Sequence, residues 1–182
     1  MSSKNKSFQT IFTVVGSKNL SIKVKEFSES LRESGSLFVC CENQYGGDGF
    51  LKASHLDFIE DILSLELVDY VNTIVCPKKT EKNFVSDNLT YVLWFVKDVS
   101  KMFFNKDAIR ERHIWKNVEW GKRKKNYNPK GKDPGNFWLP TDDNGMGVIT
   151  SHNILDYSEV VKRCVDSTSA DGDDVLIEAP LS

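Results

Sequence analysis

Apolar and polar positions fall into short blocks whose period changes along the chain. Residues 11–15 (I-F-T-V-V) form an unbroken β-branched and aromatic run stopped by Gly16, the pattern of a strand buried on both faces. Over 24–32 the apolar positions are 24, 27 and 31, one face of a helix, and Gly35 stands where such a helix would stop. Residues 36–41 (S-L-F-V-C-C) read as a second buried strand. The order strand, helix, glycine, strand predicts a parallel unit with a helical crossover. After a loop holding Gly46, Gly47 and Gly49, apolar residues at 56, 58, 59, 62, 63, 65 and 67 predict a helix over 55–67. Residues 68–76 and 89–96 read as a late strand pair, 158–165 as a helix and 174–177 as a short final strand. Cys40 and Cys41 are adjacent on a strand, so they face opposite sides, each into packed apolar surroundings.

Between these blocks, residues 98–147 show almost no periodicity and hold most of the turn residues, which predicts a loop-rich insert. With 40% apolar residues in 182, the chain suits one domain over 11–182 behind a flexible start at 1–10. No apolar run approaches the roughly 18 to 20 residues that span a bilayer, and the first ten residues hold no apolar signal core. An intracellular location follows as the expectation: nuclear in a eukaryote, where K-R-K-K at 122–125 would serve as an import signal, and cytoplasmic in a bacterium or phage. Four cysteines without CxxC spacing and three histidines at 55, 113 and 152 predict no metal site.

Charge changes the picture more than composition does. Residues 101–134 hold eleven Lys and Arg against four Asp and Glu, while 142–182 hold two against nine, behind a net charge of only -2. The basic block carries Trp115, Trp120, Tyr127, Phe137 and Trp138, and its most distinctive string is Y-N-P-K-G-K-D-P-G-N-F-W at 127–138. Cations beside flat rings suit phosphates beside bases. On that reading Arg110, Arg112, Lys122, Arg123, Lys124, Lys125, Lys130 and Lys132 contact phosphates. Asn126, Asn128 and Trp138 are held by turns at Pro129 and Pro134 near a groove or an unstacked base. A solvated surface whose aromatics belong to the core accounts for the same block, with Asp133 merely bracing the turn.

Several strings together resemble the DNA amino-methyltransferases that modify adenine N6 or cytosine N4 and place their catalytic motif before their cofactor motif. L-R-E-S-G-S-L-F-V at 31–39 is similar to the family's helix-to-strand segment, N-T-I-V-C-P-K at 72–78 to its N-x-I-x-W-x-K, and Y-V-L-W-F-V-K at 91–97 to its next strand. F-N-K-D-A-I-R at 104–110 and the 127–138 string resemble the target-recognition region of some members. The resemblance implies an α/β fold with a Rossmann-like methyltransferase sheet, truncated or degenerate, carrying a basic recognition insert over 98–147.

The same comparison implies lost chemistry. Members carry [D/N/S]-P-P-[Y/F/W] after the first strand, whereas 15–20 read V-G-S-K-N-L, with no acid, no Pro-Pro and no ring. The tail keeps His152, Arg163, Ser169, Gly172, Asp173, Val175 and Leu176 of the cofactor region. However, Asp156 and Tyr157 replace Lys-Pro, Ile177, Glu178 and Ala179 replace Asp-Pro-Phe, and no glycine loop precedes Ser182. Methyl transfer needs the amine in line with the sulfonium methyl, so no catalytic residue, no S-adenosylmethionine site and no enzyme activity are expected. Two functions stay open: an inactive methyltransferase-like DNA-binding protein, or a non-catalytic subunit of a heteromeric DNA or RNA adenine methyltransferase. In the second, a protein partner in a homo- or hetero-oligomer supplies the chemistry. A third reading keeps the chain an enzyme with a displaced cofactor site at Glu42, Asn43 and Asp48 in the glycine-rich loop, where ordinary turn chemistry is the alternative.

Overall fold

The computed structural model describes residues 6–14, 20–48, 50–78, 89–113, 128–142, 145 and 156–178. Its frame is a five-stranded sheet in the order β5-β6-β2-β1-β7. Strands β1 (Phe8–Val14), β2 (Leu31–Cys41) and β7 (Val175–Glu178) run parallel, as the crossover pattern predicts. β6 (Leu89–Val96) runs antiparallel to both β2 and β5 (Asp69–Pro77). Alternation along the strands sorts the core into two layers. Ile11, Leu37, Val39, Cys41, Leu93 and Phe95 meet helices α1 (Leu20–Ser30) and α2 (Ser54–Leu63). Phe12, Phe38, Cys40, Ile74, Val92 and Trp94 meet α3 (Tyr157–Thr168). Cys40 and Cys41 thus lie in opposite layers, both buried.

Several element boundaries differ from the expectation. The first helix ends at Ser30, and Gly35 lies inside β2 rather than after a helix. Leu31 pairs with Phe8 and Ser36 with Thr10, so the intervening residues bulge out of register. A Cβ on Gly35 would come within 2.9 Å of the Leu31 side chain and the Arg32 carbonyl, so a glycine fits this close approach. α2 stops at Leu63 instead of 67, closed by a turn in which Glu66 takes φ 54°. The glycine-rich loop holds a small hairpin of β3 (Gln44–Tyr45) and β4 (Leu51–Lys52) that no periodicity announces. Among the described residues, no helix is long and apolar enough to cross a membrane.

Between β6 and α3 the described chain holds one 3-10 turn (Lys106–Ile109) and otherwise irregular segments fixed by backbone bonds. The edge of β5 organises them. Val75 donates its amide to the Asn136 carbonyl at 2.8 Å and accepts from the Trp138 amide at 2.9 Å, so 136–138 lie along the sheet as a short sixth row. Glu111 and Lys132 exchange two backbone bonds of 3.0 and 2.7 Å, which return the turn to the 3-10 segment. Gly131 sits between them at φ +125°, where a Cβ would meet the Glu111 carbonyl at 2.5 Å. Arg163 of α3 locks this arrangement: buried, it donates to the Leu139 carbonyl at 2.9 Å and pairs with Glu159. Its guanidinium lies 5.8 Å from the Trp138 ring centroid and 3.9 Å from the buried Glu111 carboxylate.

Two stability changes follow. Phe12→Ala removes a fully buried ring packed on Phe38 and Tyr157 and is expected to cost about 3–5 kcal/mol. Ile22→Ala, on a residue 59% exposed, should stay within about 0.5 kcal/mol. Urea unfolding of both variants checks the contrast. Gly131→Ala should cost about 1–3 kcal/mol through backbone strain, and equal unfolding midpoints for this variant and the parent would contradict the placement of the turn.

Candidate nucleic-acid interface

Two regions can carry function: the C-terminal ends of the parallel strands, and the surface of the insert. At the strand ends, the segment after β1 lies outside the described residues except for Leu20, which opens α1 and is buried. Beside it, Glu178 at the end of β7 is ion-paired to Lys23 of α1 at 2.9 Å. Glu42, following β2, pairs with Lys78 at 2.7 Å and accepts from Thr90 at 3.4 Å. Asn43 bridges His55 (2.8 Å) and the Tyr91 hydroxyl (3.3 Å), with the His55 ring stacked flat on Tyr91 at 4.0 Å. Asp48 accepts the Phe50 amide at 3.1 Å, ordinary turn chemistry. The three residues of the displaced-site reading are therefore all engaged in local contacts.

The buried thiols offer no nucleophile. Burial pushes Cys40 up to about 11 and Cys41 and Cys76 to about 12, and it holds Cys164 well above the usual thiol range. A thiol at these values is uncharged at neutral pH and unreactive. Tyr157, whose hydroxyl is buried beside Cys40, is likewise pushed up by burial. Among the described residues, no three His, Cys, Asp or Glu side chains are placed to hold a metal ion.

The insert brings together residues distant in sequence. Arg110, Arg112, His113, Lys130, Gly131 and Gly145 line one groove of about 300 Å³. Its walls are fixed by main-chain contacts: Arg112 donates its amide to the Gly145 carbonyl at 2.8 Å, Arg110 reaches the Gly131 carbonyl at 3.2 Å, and His113 meets the Asn128 carbonyl at 2.9 Å. The Asn128 side chain accepts the Lys130 amide at 2.9 Å, so it shapes the turn rather than reaching outward. Asp107 holds both Lys130 and Arg110, and these partners, Lys130 first, keep its carboxyl below the usual carboxylate range. Lys106 does the same for Asp133, which also accepts the Gly135 amide at 2.9 Å and so does brace the turn. Lys132 lies outside the groove with its ammonium 3.6 Å from Glu111. Lys122, Arg123, Lys124 and Lys125, with Asn126, Trp115, Trp120 and His152, lie outside the described residues.

Trp138 corrects the expectation. Only 2% exposed, it packs against the sheet under Arg163 and donates its indole N–H to the Gly135 carbonyl at 3.1 Å. Its ring is spent on docking the insert and is not presented on the surface to a base. The edge of β5 needed a partner strand, and a residue next to that strand faces the core; a turn-rich string gives no such direction. Sequence reasoning also missed Asp107 and His113, because carboxylates and histidines inside a basic block have no periodicity that marks them.

No curated protein sequence matches the chain. Among solved structures, M1.HpyAVI with bound SAM is similar over 95% of this chain and 71% of its own, at 15% identity and TM-score 0.56. TTHA0409 of Thermus thermophilus, complexed with S-adenosyl-L-methionine, aligns over 94% and 70% at 17% identity and TM-score 0.58. The cytosine-N4-specific PvuII DNA methyltransferase aligns over 94% and 67% at 14% identity and TM-score 0.53. At these identities the likeness is one of fold. The sequence profile described as DNA methylase, for the N6 and N4 enzymes, matches residues 16–176, nearly the whole chain, and the chain accordingly belongs to the DNA amino-methyltransferase family.

Proposed function

We propose that this chain is a family member without methyl-transfer chemistry that acts by binding DNA through its insert. What carries the reading is the contrast between a kept sheet and altered strand ends. β1 and β2 pair in the family arrangement, yet β1 runs into V-G-S-K-N-L, and β7 continues as strand through Ile177 and Glu178 where the family pattern has Asp-Pro. These residues do not fit S-adenosylmethionine as the family holds it. A glycine loop lets backbone approach the ligand closely, whereas here a branched side chain and a Lys23-paired carboxylate occupy the strand end. No step of methyl transfer is therefore assigned to this chain.

The groove supports the binding half of the reading. It draws Arg110, Arg112 and Lys130 to one surface, at the two points where the 114–127 segment with its K-R-K-K leaves and rejoins the described chain. Exposed pairs such as Lys130–Asp107 contribute little individually, so a phosphate oxygen can take the place of the carboxylate at small cost. Each phosphate so contacted releases counterions and steepens the salt dependence of binding.

A second reading, a non-catalytic subunit of a heteromeric DNA or RNA methyltransferase, is favoured by a separate observation. Tyr45 and Leu51 face each other across the hairpin, and they are exposed together with the nearby Phe50 (75%) and Leu56 (57%). Apolar exposure of this kind suits a protein partner. Purified chain should then show no methylation until a co-purifying protein carrying the family's cofactor motif is added.

For DNA binding the expected result is an affinity for duplex that falls steeply between low and physiological salt. Charge reversal at 122–125 should weaken binding with the fold intact. Asp107→Asn should strengthen it several-fold by freeing Arg110 and Lys130. Fluorescence anisotropy over a salt series decides: a salt-independent affinity, or an Asp107→Asn variant that binds more weakly, would overturn the assignment.

A further inference from the structure

Helix α2 carries a second apolar stripe that the core does not use. Phe58 and Ile62 point into the sheet and are buried, and at roughly 100° per residue His55, Ile59, Leu63 and Leu56 follow them round one flank. α1 lies over β2 and α2 over β6 and β5. Because α2 returns antiparallel to β2 and β5 in a right-handed crossover, that flank is the one turned away from α1, toward the β5 side. The stacking of His55 on Tyr91, the β6 residue opposite Val75, agrees with this direction. Ile59 is half-buried, but Leu63 and Leu56 stay 38% and 57% exposed. A helix apolar over so much of its circumference is built to have neighbours on more than one side.

The sheet beside that flank is open on the same face. Ile74 and Cys76 point into the α3 layer, so Val75 points the other way, and Phe137, bridged to Val75, points with it and opposite to Trp138. Tyr70 lies on this face as well, edge-on to Phe95. Tyr70 and Phe137 remain 39% and 44% exposed. Since α2 stands one helix high, roughly 10 Å, its stripe and these rings form the two sides of a step. Charge marks the outer rim of the step. Residues 54–69 hold five carboxylates and no Lys or Arg, and among the described residues Asp57, Glu60, Asp61 and Glu66 form no ion pair.

We propose that this step docks a cationic amphipathic helix of a partner protein. Its apolar stripe rests against Leu56, Leu63, Tyr70 and Phe137, and a Lys or Arg flank meets Glu60, the next residue round α2 from Leu56. A strand is the poorer occupant, because 136–138 already close the β5 edge and leave side chains rather than free amides to bind. A helix satisfies its own backbone and needs only such an apolar seat. A second copy seated by the same face would set the unpaired carboxylates of two α2 helices against each other, so charge selects a basic partner. The inference goes beyond both functional readings and depends on neither, because the helix need not belong to a methyltransferase or act with DNA.

The test uses the full chain and a fluorescein-labelled synthetic helix of about 18 residues, with Leu at every third or fourth position and Lys on the flanks. One control peptide shuffles the same residues to destroy the stripe, and another carries Glu in place of Lys. Fluorescence anisotropy should show saturable binding of the Lys peptide in the micromolar range, and both controls should bind about tenfold more weakly or worse. Leu63→Glu, at an exposed position, should weaken the Lys peptide by about the same factor. Glu60→Lys should weaken the Lys peptide and strengthen the Glu peptide. Ile22→Glu, on an exposed apolar residue of α1 away from the step, should change neither. No saturable binding, equal binding of the shuffled peptide, or binding unchanged in Leu63→Glu with circular dichroism intact would overturn the site. Sedimentation velocity gives the remaining outcome: self-association of the chain alone that Leu63→Glu abolishes would seat a second copy there and overturn the partner helix.

Discussion

The main-chain bonds of Val75 to Asn136 and Trp138 govern where the 128–138 part of the insert can lie. An edge strand exposes a row of unpaired amides and carbonyls that invites foreign strands. Here β5 is covered by the chain's own 136–138 segment, and Thr73 is satisfied by two asparagine side chains. Once Asn136 and Trp138 are pinned, Trp138 must turn into the core, Arg163 stacks against it, and Glu111 is drawn in below. The preceding turn is then confined to the narrow path through Gly131 and Gly135. The basic groove lies on one side of that turn.

Electrostatics set how such a surface behaves. The insert's described cations are mostly held by Asp107, Asp133 and Glu111 within a few ångströms. Exposed pairs of this sort are individually weak and screened by salt, so they keep side chains ordered without committing them. Arg163 differs. It is 8% exposed beside a 4% exposed Glu111, and a buried charge left without its partner costs about 3–5 kcal/mol. One face of the insert is therefore fixed to α3 by interactions that resist exchange, and the other presents cations that a polyanion can recruit.

Much of the sheet was legible because its strands are continuous apolar runs. Leu89–Val96 matches its expected bounds, β1 and β5 shift by a few residues at most, and β2 begins well before its expected start, at Leu31 rather than Ser36. Gly35 misled, since a glycine before a strand marks a helix stop and a bulge equally well, and only the pairing of Leu31 with Phe8 tells them apart. The hairpin of β3 and β4 is two residues per strand, too short for period-2 alternation to register. In the insert, the clustering of Arg110, Arg112 and Lys130 was readable from charge, but the inward turn of Trp138 was not. Burial there is decided by β5, a strand far away in the chain, through a contact no local pattern encodes. The asparagine pair on Thr73 was invisible for the same reason.

The central claim is that the family's sheet persists here without the family's chemistry. Calorimetric titration of the purified chain with S-adenosylmethionine, run with duplex DNA present and followed by a labelled-methyl transfer assay, tests it most directly. The account predicts no saturable heat below about 100 micromolar, a typical substrate range, and no label in the DNA. Tight, saturable binding accompanied by methyl transfer would contradict it.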